Sequence, residues 1–80
     1  MNIYHKVIKL KGGYGYEIYV NDKLFIKQDF LPVIQGNIPM EEKEAKKLAS
    51  LVVEKLKKDP FILPSLTEEE VLEVINRSIK

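Results

Sequence analysis

The sequence predicts an α+β domain: a three-stranded antiparallel β-meander packed by one long helix, with a short C-terminal helix. Three observations carry that prediction. β-Rich runs parted by turn signals fill the first third of the chain. One apolar stripe at helical spacing occupies residues 41–58. A capping-box signature at Thr67 to Glu70 then opens a second, shorter helical segment.

Residues 3–10 (IYHKVIKL) alternate roughly and are rich in β-branched side chains, so they form the first strand. Lys11-Gly12-Gly13 signals a turn. Residues 14–20 (YGYEIYV) form the second strand, Asn21-Asp22 marks a tight hairpin, and residues 24–28 (LFIKQ) form the third. Face composition favours loops at Lys11–Gly13 and Asn21–Lys23. Leu10 then faces Tyr14, Ile8 faces Tyr16, Val20 faces Leu24 and Ile18 faces Ile26. One face collects Tyr4, Ile8, Leu10, Tyr14, Tyr16, Ile18, Val20, Leu24 and Ile26. The other collects Ile3, His5, Val7, Lys9, Glu17, Tyr19, Phe25 and Lys27, with Glu17 across from Lys27 as a favourable pair. A tight turn of Asn21-Asp22 alone would set Val20 against Lys23 and mix the faces. Turn chemistry pulls the other way, since Lys23 is a poor left-handed residue.

Residues 29–40 (DFLPVIQGNIPM) carry two prolines and a glycine, so they are irregular. They also hold Phe30, Leu31, Val33, Ile34, Ile38 and Met40. Such a loop either folds over the open side of the core or offers its apolar side chains to a partner. Gln35, Gly36 and Asn37 close it, and a turn held by Gly36 and capped by Asn37 accounts for them nearly as well as a binding role.

In the long helix Ala45, Leu48, Ala49, Val52 and Leu56 form the apolar stripe. Glu41, Glu42 and Glu44 crowd its first turn and Lys55, Lys57 and Lys58 its last, as the helix dipole favours. Asp59-Pro60 ends it. Phe61, Ile62 and Leu63 are expected to pin the connection to the core. Thr67 caps the second helix, over about 68–76, with Glu70 returning the bond and Leu66 stapling against Val71. Val71, Leu72 and Ile75 are its expected buried residues, and Arg77 to Lys80 are expected to fray.

Eighty residues suit one domain with a small core, stable by roughly 4–12 kcal/mol. There is no cysteine, so no disulfide or thiolate site. A net charge of +1 lacks the basic excess of a nucleic-acid binder. No apolar run approaches the roughly 20 residues of a membrane span. The N-terminus does not open as a signal peptide, so a cytoplasmic protein or a trimmed mature domain is expected.

Few residues point to catalysis. His5 is the sole histidine, and the serines lack a nucleophile elbow. No metal-ligand spacing appears, and Glu68-Glu69-Glu70 is explained by capping and dipole. Gly12-Gly13-Tyr14-Gly15 lacks the Lys-Ser/Thr of a phosphate loop and precedes a strand. No enzyme activity, cofactor or metal is expected.

A longer pattern runs through the chain. It comprises Gly15-Tyr16-Glu17-Ile18, Val20-Asn21, Lys23-Leu24-Phe25-Ile26, Gln28, Pro32 and Gln35-Gly36-Asn37, then Ala45, Ala49, Val52 and Lys55. Across Gly15 to Leu56 it resembles a bacterial family of unknown function, domain of unknown function 4907, found mainly in Bacteroides-like Gram-negative bacteria. Asp22 stands where that family leads one to expect glycine, and Met40 where one expects phenylalanine. The resemblance implies no activity and no functional residues. It does imply a periplasmic or envelope setting for a trimmed domain, since many members carry an export or lipoprotein signal. The layout also resembles the arm-type DNA-binding domain of tyrosine recombinases, whose sheets read the major groove. Here Lys9 and Lys27 share their face with Glu17, too little positive charge for phosphate.

The function expected is a non-enzymatic binding module of the cell envelope. Its candidate residues are Phe30, Leu31, Val33, Ile34, Gln35, Gly36 and Asn37, with Tyr19 and Phe25 on the sheet. Its partner would be another protein or a second copy, met through a sheet edge or the 29–40 loop. The alternatives are DNA binding and a small-molecule site lined by Tyr14, Tyr16 and the loop.

Overall fold

A computed structural model describes residues 1–76. The expected fraying of residues 77–80 lies outside them. The strands are β1 (Ile3–Leu10), β2 (Gly13–Val20) and β3 (Lys23–Gln28). The helices are α1 (Glu42–Lys58) and α2 (Glu68–Ile75). The strands form one antiparallel sheet in the order β1-β2-β3. This is the α+β meander that the sequence predicts, with ends within a residue of those expected.

The register differs from expectation, and the turns explain why. Leu10 pairs with Gly13 and Ile8 with Gly15, so only Lys11 and Gly12 turn the chain. Gly12 takes φ 94°, which suits the glycine position of a type II turn. At the second hairpin Asn21 and Asp22 both take positive φ, 51° and 66°, as a type I′ turn requires. Val20 therefore does pair with Lys23. Yet Ile18 still pairs with Ile26, and Glu17 with Lys27. The register shifts between Ile18 and Tyr19, leaving Phe25 as an extra residue, a β-bulge. The bulge lets a tight turn coexist with an aligned strand.

Sliding β1 by one residue exchanges its faces. Ile3 and Val7 join Tyr16 and Ile18 in the core. Tyr4, Ile8 and Leu10, expected inside, stand on the outer face instead. There the rings of Tyr4 and Tyr19 stack with centroids 5.3 Å apart. The Lys6 ammonium lies 5.0 Å from the Tyr19 ring centre.

α1 buries Ala45, Leu48, Ala49, Val52, Val53 and Leu56 against β1 and β2. β3 lies farther from it and reaches the core through half-buried Ile26. Its first turn buries Glu44, whose carboxylate accepts the Glu41 N–H at 2.8 Å and so satisfies a donor left free at the helix start. α2 packs on α1 through Val71 and Ile75, with Val74 half-buried. Thr67 Oγ1 accepts the Glu70 N–H at 3.1 Å, and Glu70 Oε1 accepts the Thr67 N–H at 2.9 Å.

Two expectations fail here. Leu72 is exposed, because Val71, Val74 and Ile75 supply the inward stripe. Phe61, Ile62 and Leu63 point to solvent rather than pinning the chain, with Phe61 93% exposed. Asp59 turns the chain sharply there, accepting N–H bonds from Phe61 and Ile62 at 3.3 Å. Leu66 and α2 then fill the space beside α1.

Candidate interaction surface

The 29–40 loop leaves the sheet after Gln28 and returns at Met40. Tyr14 N–H donates to the Met40 carbonyl at 2.9 Å, so Met40 continues the edge of β2 where β3 stops. Leu31 N–H donates to the Ile38 carbonyl at 2.8 Å and closes the neck. The segment is thus a compact loop with its ends tied together. Its base crosses the start of β2 closely. A Cβ on Gly13 would lie 2.6 Å from Pro39 Cβ, and one on Gly15 would lie 2.6 Å from the Gln28 carbonyl oxygen. Both glycines are there to let backbone approach backbone.

This geometry divides the predicted residues. Leu31 is 3% exposed and lies in the core with Met40, while Ile34 packs half-buried against it. Gln35, Gly36 and Asn37 stand in solvent, with φ 105° at Gly36 and 49° at Asn37, and turn the chain back toward Ile38. Val33 is 56% exposed and takes φ 58°, a conformation that β-branched residues avoid. Phe30 is 39% exposed. Tyr19 is bound into the outer face by its stack with Tyr4, and its hydroxyl donates to Glu17 Oε1 at 2.7 Å. Phe25 is 49% exposed at the bulge.

Leu24, which face composition placed in the core, is 52% exposed. With Phe25 beside it and Phe30 at the start of the loop, it makes up a run of exposed large apolar side chains along this stretch of chain. Sequence pattern misses Leu24 because the tight turn and the bulge pair it with Tyr19, on the face away from α1. Lys23 pairs with Val20 and Lys27 with Glu17, so these two cations project to opposite faces of the sheet. Among the described residues, Lys23 and Lys27 have no carboxylate within ion-pair distance. The Glu17 carboxylate opposite Lys27 is taken by Tyr19.

The electrostatics elsewhere are structural. Burial pushes the Tyr16 hydroxyl up to about 12. Hydrogen bonds to Asp22 and Glu17 raise Tyr4 and Tyr19, respectively. The Lys55 ammonium, 2.8 Å from Glu70, lowers that carboxyl and ties α2 to α1. Asp29 Oδ1 is buried without a hydrogen-bond partner. It borders a cleft of about 170 Å³ lined by Leu10, Lys11, Gly13, Phe30 and Pro39. That is smaller than a usual ligand pocket, and Tyr16 is buried beneath the helix rather than lining it. A groove of about 460 Å³ between the helices is rimmed by Lys43, Lys46 and Lys47 over Leu51 and Val74. Among the described residues, no group of His, Asp and Glu gathers to hold a metal, and no helix is long and apolar enough to cross a membrane.

The sheet, its tied loop and the following helix fall within one continuous family match over residues 6–73. The chain belongs to the family described as Domain of unknown function (DUF4907). The match takes in all of β2, β3, α1 and the loop, so the exposed strip lies inside the family domain. Neither a search of curated proteins nor one of solved structures returned a match.

Proposed function

We propose that this chain is a non-catalytic interaction module of the bacterial cell envelope. It meets a protein partner through the β3 strip of Leu24, Phe25 and Phe30, extended by Val33 on the loop. One observation carries the reading. Leu24 stands with Tyr19 on the sheet face away from α1 and Phe25 is bulged beside it, yet both are large apolar side chains about half exposed. Exposed large apolar side chains gathered on one stretch of chain mark contact sites more often than singly scattered ones do. Contact is made by side chains rather than by strand addition, because the Phe25 bulge and the lysines guard the edge. The envelope setting rests on the family resemblance alone.

Site-specific photo-cross-linking in cells bearing the full gene tests the surface. A photoreactive residue at Phe25 or Phe30 should trap a protein, while the same residue at Ser50 should not. No adduct at either strip position, or equal adducts at all three, would sink the proposal. A phosphatase reporter fused to the full gene product, active only outside the cytoplasm, tests the compartment separately.

A further inference from the structure

The groove of about 460 Å³ between α1 and α2 lies apart from the β3 surface and has its own chemistry. Half-buried Leu51 and Val74 form its floor. Lys43, Lys46 and Lys47 rim one end, and Glu54 stands at the other. At 1.5 Å per residue, Glu54 lies roughly 10 Å along α1 from Lys47. Lysine stems cover apolar surface while their ammonium groups reach water, so the three lengthen the apolar wall and edge it with positive charge.

Local helix chemistry leaves these cations unexplained. In the first turn the helix dipole favours carboxylates, not Lys43. Glu42 lies one turn before Lys46, yet no ion pair joins them. Among the described residues, Lys46 and Lys47 have no carboxylate within ion-pair distance, and Lys43 only approaches exposed Glu41, at 4.0 Å. On the α2 side Glu70 is held by Lys55, and Glu73 borders a neighbouring hollow.

An apolar floor with unpartnered cations at one end complements a molecule with an anionic head and an apolar chain. We infer that the groove binds a free single-chain anionic amphiphile of the fatty-acid class. Its carboxylate meets Lys43, Lys46 and Lys47, and its chain lies over Leu51 and Val74 toward Glu54. Charge sets this orientation, since Glu54 repels the head. The volume falls within the range of small-molecule sites, which are mostly apolar with a few polar groups. A bilayer surface fits less well. Helices that bind membrane surfaces insert large exposed apolar side chains, and none of those exposed among the described residues lines this groove.

Methyl NMR of the labelled protein tests this, with dodecanoate titrated below its micelle-forming concentration. Leu51 and Val74 should shift along a saturable curve, while Leu24 and Leu31 should not. Acetate, which lacks the chain, and dodecyltrimethylammonium, which reverses the head charge, should each bind at least about tenfold more weakly. Lys46→Gln with Lys47→Gln should weaken dodecanoate binding by at least about tenfold. Lys57→Gln with Lys58→Gln removes the same charge from the far end of α1 and should leave affinity within about twofold. All four lysines are exposed, so far-UV circular dichroism should show both variants folded. The inference is overturned by an absence of saturable shifts at Leu51 and Val74, or by shifts centred on Leu24 and Val33 instead. Equal binding of the cationic chain, or equal losses in the two lysine variants, overturns it as well. Retention of the protein on vesicles of anionic phospholipid, lost in Lys46→Gln with Lys47→Gln, would assign the face to a membrane surface and overturn the free-chain occupant. None of these outcomes bears on the β3 surface, which cross-linking at Phe25 and Phe30 tests.

Discussion

Gly15→Ala tests whether the loop and β3 truly press on the central strand. The added methyl would lie 2.6 Å from the Gln28 carbonyl oxygen, 3.0 Å from Leu10 Cδ1 and 3.2 Å from Asp29 Cα. Leu10 can rotate away, but the other two atoms are backbone. Restoring ordinary contact moves the end of β3 by roughly 1 Å. That strains the pairing of Tyr16 with Gln28 and the entry to the loop. Overpacking of this kind costs about 1–3 kcal/mol, and one weakened ladder bond adds about 0.5–1.5 kcal/mol. Restricting the unfolded chain returns about 0.5–1 kcal/mol. The net loss centres on about 2 kcal/mol, a large share of a stability of roughly 4–12 kcal/mol. Urea unfolding followed by circular dichroism should show the midpoint falling by roughly 1–3 M, with a slope near 1 kcal/mol/M for a chain this small. Gly12→Ala is the control. Nothing lies within 4 Å of its added methyl, and only its φ of 94° is disfavoured. Its cost should stay near 1 kcal/mol. A Gly15→Ala protein within about 0.5 kcal/mol of wild type would refute the close approach.

Other substitutions separate structure from surface. Leu31→Ala should cost about 2–4 kcal/mol, whereas Val33→Ser should change urea stability by less than about 1 kcal/mol, because only Leu31 is in the core. Thr67→Ala removes the α2 cap bond to Glu70 N–H and should cost about 1 kcal/mol in the same assay. Tyr16 sets an alkaline limit. Its folded-state value of about 12 exceeds an ordinary 10.0, so the unfolded chain ionises first. Its contribution is complete below about pH 10 and is lost as pH rises through about 12, up to roughly 3 kcal/mol in all. Stability against pH should fall less steeply there in Tyr16→Phe; identical slopes would contradict the buried hydroxyl.

Much of the fold was legible because local chemistry and the global pattern agree. Asn21-Asp22, the Thr67 cap, Asp59-Pro60 and the Ala45-to-Leu56 stripe each have a local cause, and each acts where the sequence places it. The faces of β1 do not follow from its pattern because both are apolar. Tyr4, Ile8 and Leu10 outweigh Ile3 and Val7 by composition, while Gly12 decides the register by turn geometry. The Phe25 bulge leaves no local mark, since it only reconciles the tight Asn21-Asp22 turn with the pairing of Ile18 and Ile26. Leu72 was misplaced because a helix of two turns fits more than one apolar stripe. The loop announced itself by its apolarity, but which members enter the core depends on the Leu31–Ile38 neck. The exposed side chains were half visible: Phe25 and Phe30 stand out in the sequence, whereas Leu24 reaches the outer face only through the tight turn and the bulge.

Hydroxyl-radical footprinting of the strip tests the central claim most directly. In dilute purified protein, Phe25 and Phe30 should oxidise readily while buried Tyr16 and Leu31 stay protected. In cells that express the full gene, Phe25 and Phe30 should become protected as a partner covers β3. Equal oxidation of both phenylalanines in the two settings would contradict the account, since the strip would then be bare surface.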